Sequence, residues 1–146
     1  MIDSMTTRTP WHLWVVGVVA ALWNGFGCFD YVMTQTRRDE WFVQMGMTEA
    51  QLTYFNAMPA WTHAAWAIGV WGGLLGALLL LLRSKWAFHA LLASLIAFAM
   101  SVVYGQTTGG NAVMGSMGLI FSGVIFLIGL ALVMYARAMT KRGVLR

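Results

Sequence analysis

Four long apolar stretches constrain this chain more than any other feature of its sequence. They cover residues 13–34, 60–82, 85–105 and 115–136, and each can form a helix across the roughly 30 Å hydrocarbon core of a bilayer. Open strands cannot cross lipid, because unpaired backbone groups there are very costly. The stretches also lack the alternation of an outer-membrane barrel. The sequence therefore predicts an all-α integral membrane four-helix bundle.

The composition agrees with this class. Hydrophobic residues make up 60% of the 146 and charged residues only 10%, against about a quarter charged in soluble domains. No internal repeat or low-complexity linker interrupts the chain, so we expect residues 1–146 to form a single domain. No basic run with interleaved aromatic residues is present, which argues against nucleic acid as a partner. Membrane lipids and other membrane-protein subunits, or further copies of the chain, are the expected partners.

Charge placement predicts the orientation of the spans. The loop between the first two spans carries Arg37 and Arg38, while the other side of the predicted bundle carries seven basic side chains. The seven are Arg8, Arg83, Lys85, Arg137, Lys141, Arg142 and Arg146. The positive-inside rule therefore places both termini in the cytoplasm. Aromatic belts agree, with Trp11, Trp14, Trp86 and Tyr135 at the inner interface and Trp41, Tyr54, Phe55, Trp61 and Tyr104 at the outer one.

Cys28 is the only cysteine, which excludes an intramolecular disulfide and a thiolate metal site. A lipoprotein signal ending at Cys28 is a competing interpretation of the first span. It is disfavoured because Gly25 occupies the position where such signals prefer leucine, and bulky Phe26 stands where a small residue is expected. A cleaved signal peptide is disfavoured in the same way.

The first outer loop, residues 36–58, contains a helix-start signal. Thr48 followed by Gln51 fits a capping box, and Leu52, Phe55 and Met58 fall on one helical face. We expect a short interfacial helix on the outer membrane surface. Its role is either to pack its apolar face on the bundle or to act as a lid over a binding site, and the first is favoured.

Small residues form one face of the second span. Gly69, Gly72, Gly73 and Gly76 lie within about 100° of one another on a helical wheel and include two G-x-x-x-G pairs. The first span has a similar small face that includes Asn24, which lies near the expected midplane. These residues predict close helix packing, with Asn24 hydrogen-bonding between helices rather than binding a ligand.

An ionisable group inside the membrane is a functional hypothesis by default. Asp30 lies about 9 Å outward from Asn24, near the outer edge of the hydrocarbon, and His63 lies at a matching depth in the next span. The candidate outer polar cluster comprises Asp30, His63, Tyr104, Gln106 and Asn111. It is either a functional site or an interfacial polar rim, and helical-wheel angles favour the rim.

No pattern of catalytic residues is present. The spans carry no carboxylate pair, H-E-x-x-H or G-x-S-x-G motif, and the eleven methionines are not clustered. Of the three histidines only His12 and His89 share a depth, and both are simply interfacial, which disfavours haem. We expect no enzymatic activity, no cofactor and no metal site.

Two stretches, "WHLWVVGVVAALWNGFGCFDYVMTQTR" and "MPAWTHAAWAIGVWGGLLGALLLLLRSKWA", resemble a family of small four-span inner-membrane proteins of proteobacteria. Some members of that family are labelled sugar transporters. The resemblance implies the four-span topology and a Gram-negative inner membrane. It implies no catalytic or binding residues.

The leading hypothesis is a non-enzymatic accessory or scaffolding subunit of a membrane assembly, or a homo-oligomer with a structural role. The first alternative is a small-solute, sugar-like carrier that acts as an oligomer, with the outer polar cluster as its mouth; such carriers normally place polar groups at the midplane. The second alternative is a quinone- or pigment-associated subunit.

Overall fold

The computed structural model describes residues 7–146, which form five α-helices and no strand. The helices are α1 (Trp11–Gln44), α2 (Glu49–Asn56), α3 (Ala60–Leu81), α4 (Trp86–Thr107) and α5 (Gly110–Lys141). All but α2 are long and apolar enough to cross a membrane. The predicted all-α class is therefore confirmed, and the four long apolar helices support a multi-pass membrane protein.

Two segments predicted as loops are largely helical. α1 continues through the predicted loop to Gln44, with one non-helical residue at Arg38 (φ 35°, ψ −104°). α5 begins at Gly110 rather than at residue 115, and Gly115 (φ 72°, ψ −171°) interrupts it. The two loops were predicted from their polar residues, and this prediction was wrong. Arg, Glu, Gln and Trp can also form helix once the chain leaves the bilayer. The turn comes at Gly46, whose φ of 78° glycine adopts without strain.

α2 begins with the predicted capping box. The Thr48 hydroxyl accepts a hydrogen bond from the Gln51 amide at 3.3 Å, and the Gln51 side chain accepts one from the Thr48 amide at 3.0 Å. The ring of Phe55 lies 5.6 Å from that of buried Phe42 in α1. Gln51 also donates to the carbonyl of Val113 in α5 at 3.4 Å. α2 therefore ties the end of α1 to the beginning of α5.

The four long helices pack in the order α1, α3, α4, α5, an arrangement we call the row. Its first and last helices come back together at one end, where His12 of α1 shares a hydrogen bond with Tyr135 of α5. α3 packs most extensively on α4, α1 packs on α3, and α5 packs on α4. Contact between α1 and α5 is sparse. As a consequence, the two outer helices of the row keep large lipid-facing surfaces.

One end of the row is closed by the segment after α5. Val144 and Leu145 are buried there in a cluster with Leu13 of α1 and with α3, α4 and α5 side chains. The Arg146 amide donates to the Arg83 carbonyl at 2.8 Å, and the Lys85 amide donates to the Arg146 carbonyl at 2.9 Å. This backbone pairing fixes the segment against the α3–α4 turn.

Charge separates the two ends of the row. The end closed by Val144 and Leu145 carries the seven basic residues already named as one side of the bundle, and we call it the basic end. All the Asp and Glu side chains among residues 7–146 lie towards the opposite end, in α1 and α2; they are Asp30, Asp39, Glu40 and Glu49. The two ends therefore present surfaces of different character to whatever lies beyond the membrane.

Candidate functional site

Asn24 lies where α1, α3 and α4 meet. Its side-chain amide donates to the carbonyl of Ala20 in the preceding turn at 2.8 Å. Its other side faces Gly73, where an added Cβ would lie only 2.7 Å from the Asn24 Cγ and 3.2 Å from the Ser94 hydroxyl oxygen. The absence of a side chain at Gly73 therefore makes the space that the Asn24 amide occupies.

The other glycines of α3 face α4. A Cβ at Gly72 would lie 3.6 Å from the Ala90 carbonyl oxygen, and one at Gly76 would lie 3.2 Å from the Leu91 backbone nitrogen. Gly69 is more open, with its nearest contact at 3.9 Å, and its carbonyl accepts a hydrogen bond from the Ser94 hydroxyl. The sequence analysis did not predict a role for Ser94. A hydroxyl within an apolar span needs a hydrogen-bond partner, however, and this was the available signal.

Asp30 is paired with an aromatic residue of its own helix. Trp41 Nε1 donates to a carboxylate oxygen of Asp30 at 2.7 Å, and the Trp41 ring meets Phe29 edge to face. Eleven residues of straight helix would separate Asp30 from Trp41 by about 16 Å along the axis. The non-helical Arg38 between them turns the chain, which brings the indole back to the carboxylate.

His63 has a different partner. Its Nδ1 lies 3.4 Å from the side-chain nitrogen of Gln35, at the level where α1 leaves the predicted span. No hydrogen bond joins Asp30 to His63 in the part of the chain that the structure describes. Neither Trp41 nor Gln35 was predicted as a partner, because both were assigned to the loop side of the span boundary.

The remaining members of the candidate outer polar cluster form two further pairs. The side-chain amide of Asn111 donates to that of Gln106. The ring of Tyr104 packs edge to face on Trp61, with centroids 5.2 Å apart. The cluster is therefore a series of separate local pairs along the rim, and the described geometry does not bring its five members together around one point.

A buried hydroxyl near this rim has no partner among the described residues. Thr34 in α1 is 2% exposed, and its Oγ1 makes no hydrogen bond. Thr62, the other buried polar residue, is satisfied by the Pro59 carbonyl at 2.6 Å. Of these two buried hydroxyls, only that of Thr62 has a hydrogen-bond partner among the described residues.

Two grooves described among residues 7–146 are apolar. The larger, about 540 Å³, follows α4 near the rim and has mainly apolar walls; it is lined by Trp61, Ile96, Ala99, Met100, Val103, Tyr104 and Thr107. The second, about 330 Å³, lies between α1 and α5. Within residues 7–146, no three His, Cys, Asp or Glu side chains lie close enough together to hold a metal ion.

The geometry thus offers helix-packing contacts, paired rim residues and apolar grooves. No family model, curated protein or solved structure matches the chain. What the protein does is therefore inferred from its own residues.

Proposed function

We propose that this protein is a non-enzymatic structural component of a membrane assembly, either as an accessory subunit beside other chains or as a homo-oligomer. We place it in a bacterial inner membrane with the basic end in the cytoplasm. The distribution of basic residues and the family resemblance of the first and second spans support that location.

The observation that carries the proposal is the uncovered surface of α5. Met117, Phe121 and Leu127 are 75%, 61% and 64% exposed, and α5 has α4 as its principal neighbour. Apolar exposure alone fits lipid. However, this helix also carries Gly118 and Ser122 one turn apart, a small-x-x-x-small pair that allows a second helix to approach closely.

The neighbours of Gly118 support this interpretation. The three atoms nearest to a Cβ at that position all belong to Met114, a side chain of its own helix. On α3, by contrast, the space beside Gly73 and Gly76 is occupied by side chains of α1 and α4. Gly118 and Ser122 are half-buried and continue the face on which Gly129 meets Leu95 of α4. We place the second helix at the Gly118–Ser122 part of that face, where the nearest neighbours of Gly118 belong to α5 itself.

The surroundings of Asn24 favour a structural role over that of a carrier. A carrier normally exposes polar groups to a cavity near the midplane. Asn24, the polar residue predicted there, packs against Gly73 and bonds to Ala20. Both described grooves have mainly apolar walls.

The experiment is purification of the tagged full-length chain in mild detergent, with its mass and composition measured by light scattering and mass spectrometry. We expect a stoichiometric partner or a defined multimer. Ser122→Trp should dissociate it, because the indole prevents close approach on the small face. Leu127→Trp is the matched control, an exposed position about 140° away on the same helix, and should leave the assembly intact. Recovery of the unaltered chain as a lone monomer would refute the proposal, as would equal behaviour of the two variants.

A further inference from the structure

The groove between α1 and α5 has the form of a narrow apolar cleft. It is lined by Val15, Val16, Val19, Ala20 and Trp23 of α1 and by Ile128 and Leu132 of α5. The lining extends for about 12 Å along α1 at 1.5 Å per residue. Its volume of about 330 Å³ lies at the lower end of the range for small-molecule sites.

A polar pair lies next to the cleft on the side of the basic end. His12 Nδ1 and the Tyr135 hydroxyl share a hydrogen bond, and their rings meet edge to face with centroids 5.6 Å apart. His12 lies one turn before Val16, and Tyr135 one turn after Leu132. The cleft therefore changes from wholly apolar walls to polar groups within a single helical turn.

Two arginines, Arg8 and Arg142, lie in the chain segments beyond this pair. Arg142, the residue at which α5 ends, follows Tyr135 by seven residues, about two helical turns, and so lies on the same side of the helix. The Thr7 hydroxyl lies 3.4 Å from the Cβ position of Gly143, so the chain before α1 runs beside the chain after α5. Arg8 and Arg142 adjoin these contacting residues, so their backbones lie near each other beyond the His12–Tyr135 pair, at what we call the mouth of the cleft.

We propose that the cleft binds one anionic phospholipid, with an acyl chain between α1 and α5 and the phosphate at Arg8 and Arg142. The size of the cleft argues against a second helix. A helix about 10 Å across and 12 Å long occupies roughly 900 Å³, nearly three times the space. A single extended hydrocarbon chain is slim enough to fit.

The charge at the mouth selects the headgroup. A neutral quinone would gain nothing from two guanidinium groups, whereas a phosphodiester accepts charge-assisted hydrogen bonds from both. Zwitterionic lipids carry a compensating ammonium group and gain less from a basic surface. The inference goes beyond the structural role proposed above, because it concerns the cleft side of α5 near the basic end and not its small face.

In the experiment, the delipidated full-length protein is titrated with phosphatidylglycerol or with phosphatidylcholine, the two lipids having identical acyl chains. Native mass spectrometry measures how much of each lipid the protein retains. We expect saturable binding of one phosphatidylglycerol and weaker, unsaturated binding of phosphatidylcholine. Arg142→Gln should weaken phosphatidylglycerol binding about fivefold, the contribution of one basic residue near an anionic surface. Lys85→Gln removes a charge from the same end away from the cleft, and should change it little.

A second pair of variants tests the acyl site independently of charge. Val19→Trp places an indole in the cleft from a position that is 60% exposed, and should abolish saturable binding. Val18→Trp, at the adjacent exposed position outside the lining, is the control and should bind as the unaltered chain does. Circular dichroism verifies that both remain helical. Equal retention of the two lipids, equal binding by the two tryptophan variants, or a quinone recovered in place of phospholipid would each overturn the proposal.

Discussion

Gly73→Ala is the change that tests most directly how the row of helices is held together. The added Cβ would lie 2.7 Å from the Asn24 Cγ, about 0.8 Å closer than the optimum for two carbon atoms. The Ser94 hydroxyl at 3.2 Å limits the space on the other side. Overpacking of this kind costs about 1–3 kcal/mol, and alanine returns about 0.5–1 kcal/mol of helix propensity.

Gly69→Ala is the matched control on the same face of α3. Its nearest neighbour would be the Ser94 carbonyl oxygen at 3.9 Å, an ordinary contact, so it gains the same propensity without the clash. We therefore expect Gly73→Ala to be less stable than Gly69→Ala by about 1–3 kcal/mol. The free energy of unfolding can be measured by SDS titration in mixed micelles, followed by tryptophan fluorescence.

Asn24→Ala identifies the origin of the effect. In the double variant with Gly73→Ala the clash with the amide is gone, so the cost of Gly73→Ala should fall to near zero. The coupling free energy should be about 1–3 kcal/mol, typical of residues in direct contact. Equal stability of the Gly73 and Gly69 variants, or strict additivity in the double variant, would refute this account of the α1–α3 contact.

Three further changes test other contacts. Gly76→Ala should destabilise the protein more than Gly73→Ala in the same titration. The added Cβ would meet the Leu91 backbone nitrogen at 3.2 Å as well as the Leu91 side chain, and a backbone atom cannot rotate away from the clash. Val144→Ala should lower the free energy of unfolding by about 1–3 kcal/mol, because Val144 is only 2% exposed in the cluster at the basic end. It should also raise the hydrogen-exchange rate of the Lys85 amide, and an unchanged rate would contradict this. Thr48→Ala removes one of the two hydrogen bonds of the α2 capping box, a loss of about 1 kcal/mol. Amide hydrogen exchange should therefore accelerate about fivefold in α2 and remain unchanged in α3.

The four spans could be predicted because their signal is strong and local. A run of some twenty apolar residues has one stable outcome in a bilayer, whatever its neighbours. The capping box of α2 was equally local, because both of its hydrogen bonds join Thr48 to Gln51. The glycine spacing on α3 indicated a close approach, but it could not name Ser94 or Leu91 as the neighbours, since nothing in one helix reveals its angle to the next.

The partners of Asp30 and His63 could not be predicted for a different reason. The sequence predicts that both lie at a similar depth near one rim, but depth does not determine pairing. The Asp30–Trp41 bond depends on Arg38 at a φ of 35°, a conformation that non-glycine residues rarely adopt. No propensity or periodicity predicts such a break, so the indole that satisfies Asp30 was assigned to a loop.

The closure of the basic end sets an order of events during synthesis. Leu13 is completely buried, yet part of its cluster comes from Val144 and Leu145, almost the whole length of the chain later. α3 and α4 are adjacent in sequence and can pair as soon as both are inserted, whereas α1 must wait with that side of Leu13 uncovered until α5 and the segment after it have been made. This protein therefore completes its core only when translation has passed α5, and until then its first helix offers an apolar surface to other membrane helices or to a chaperone.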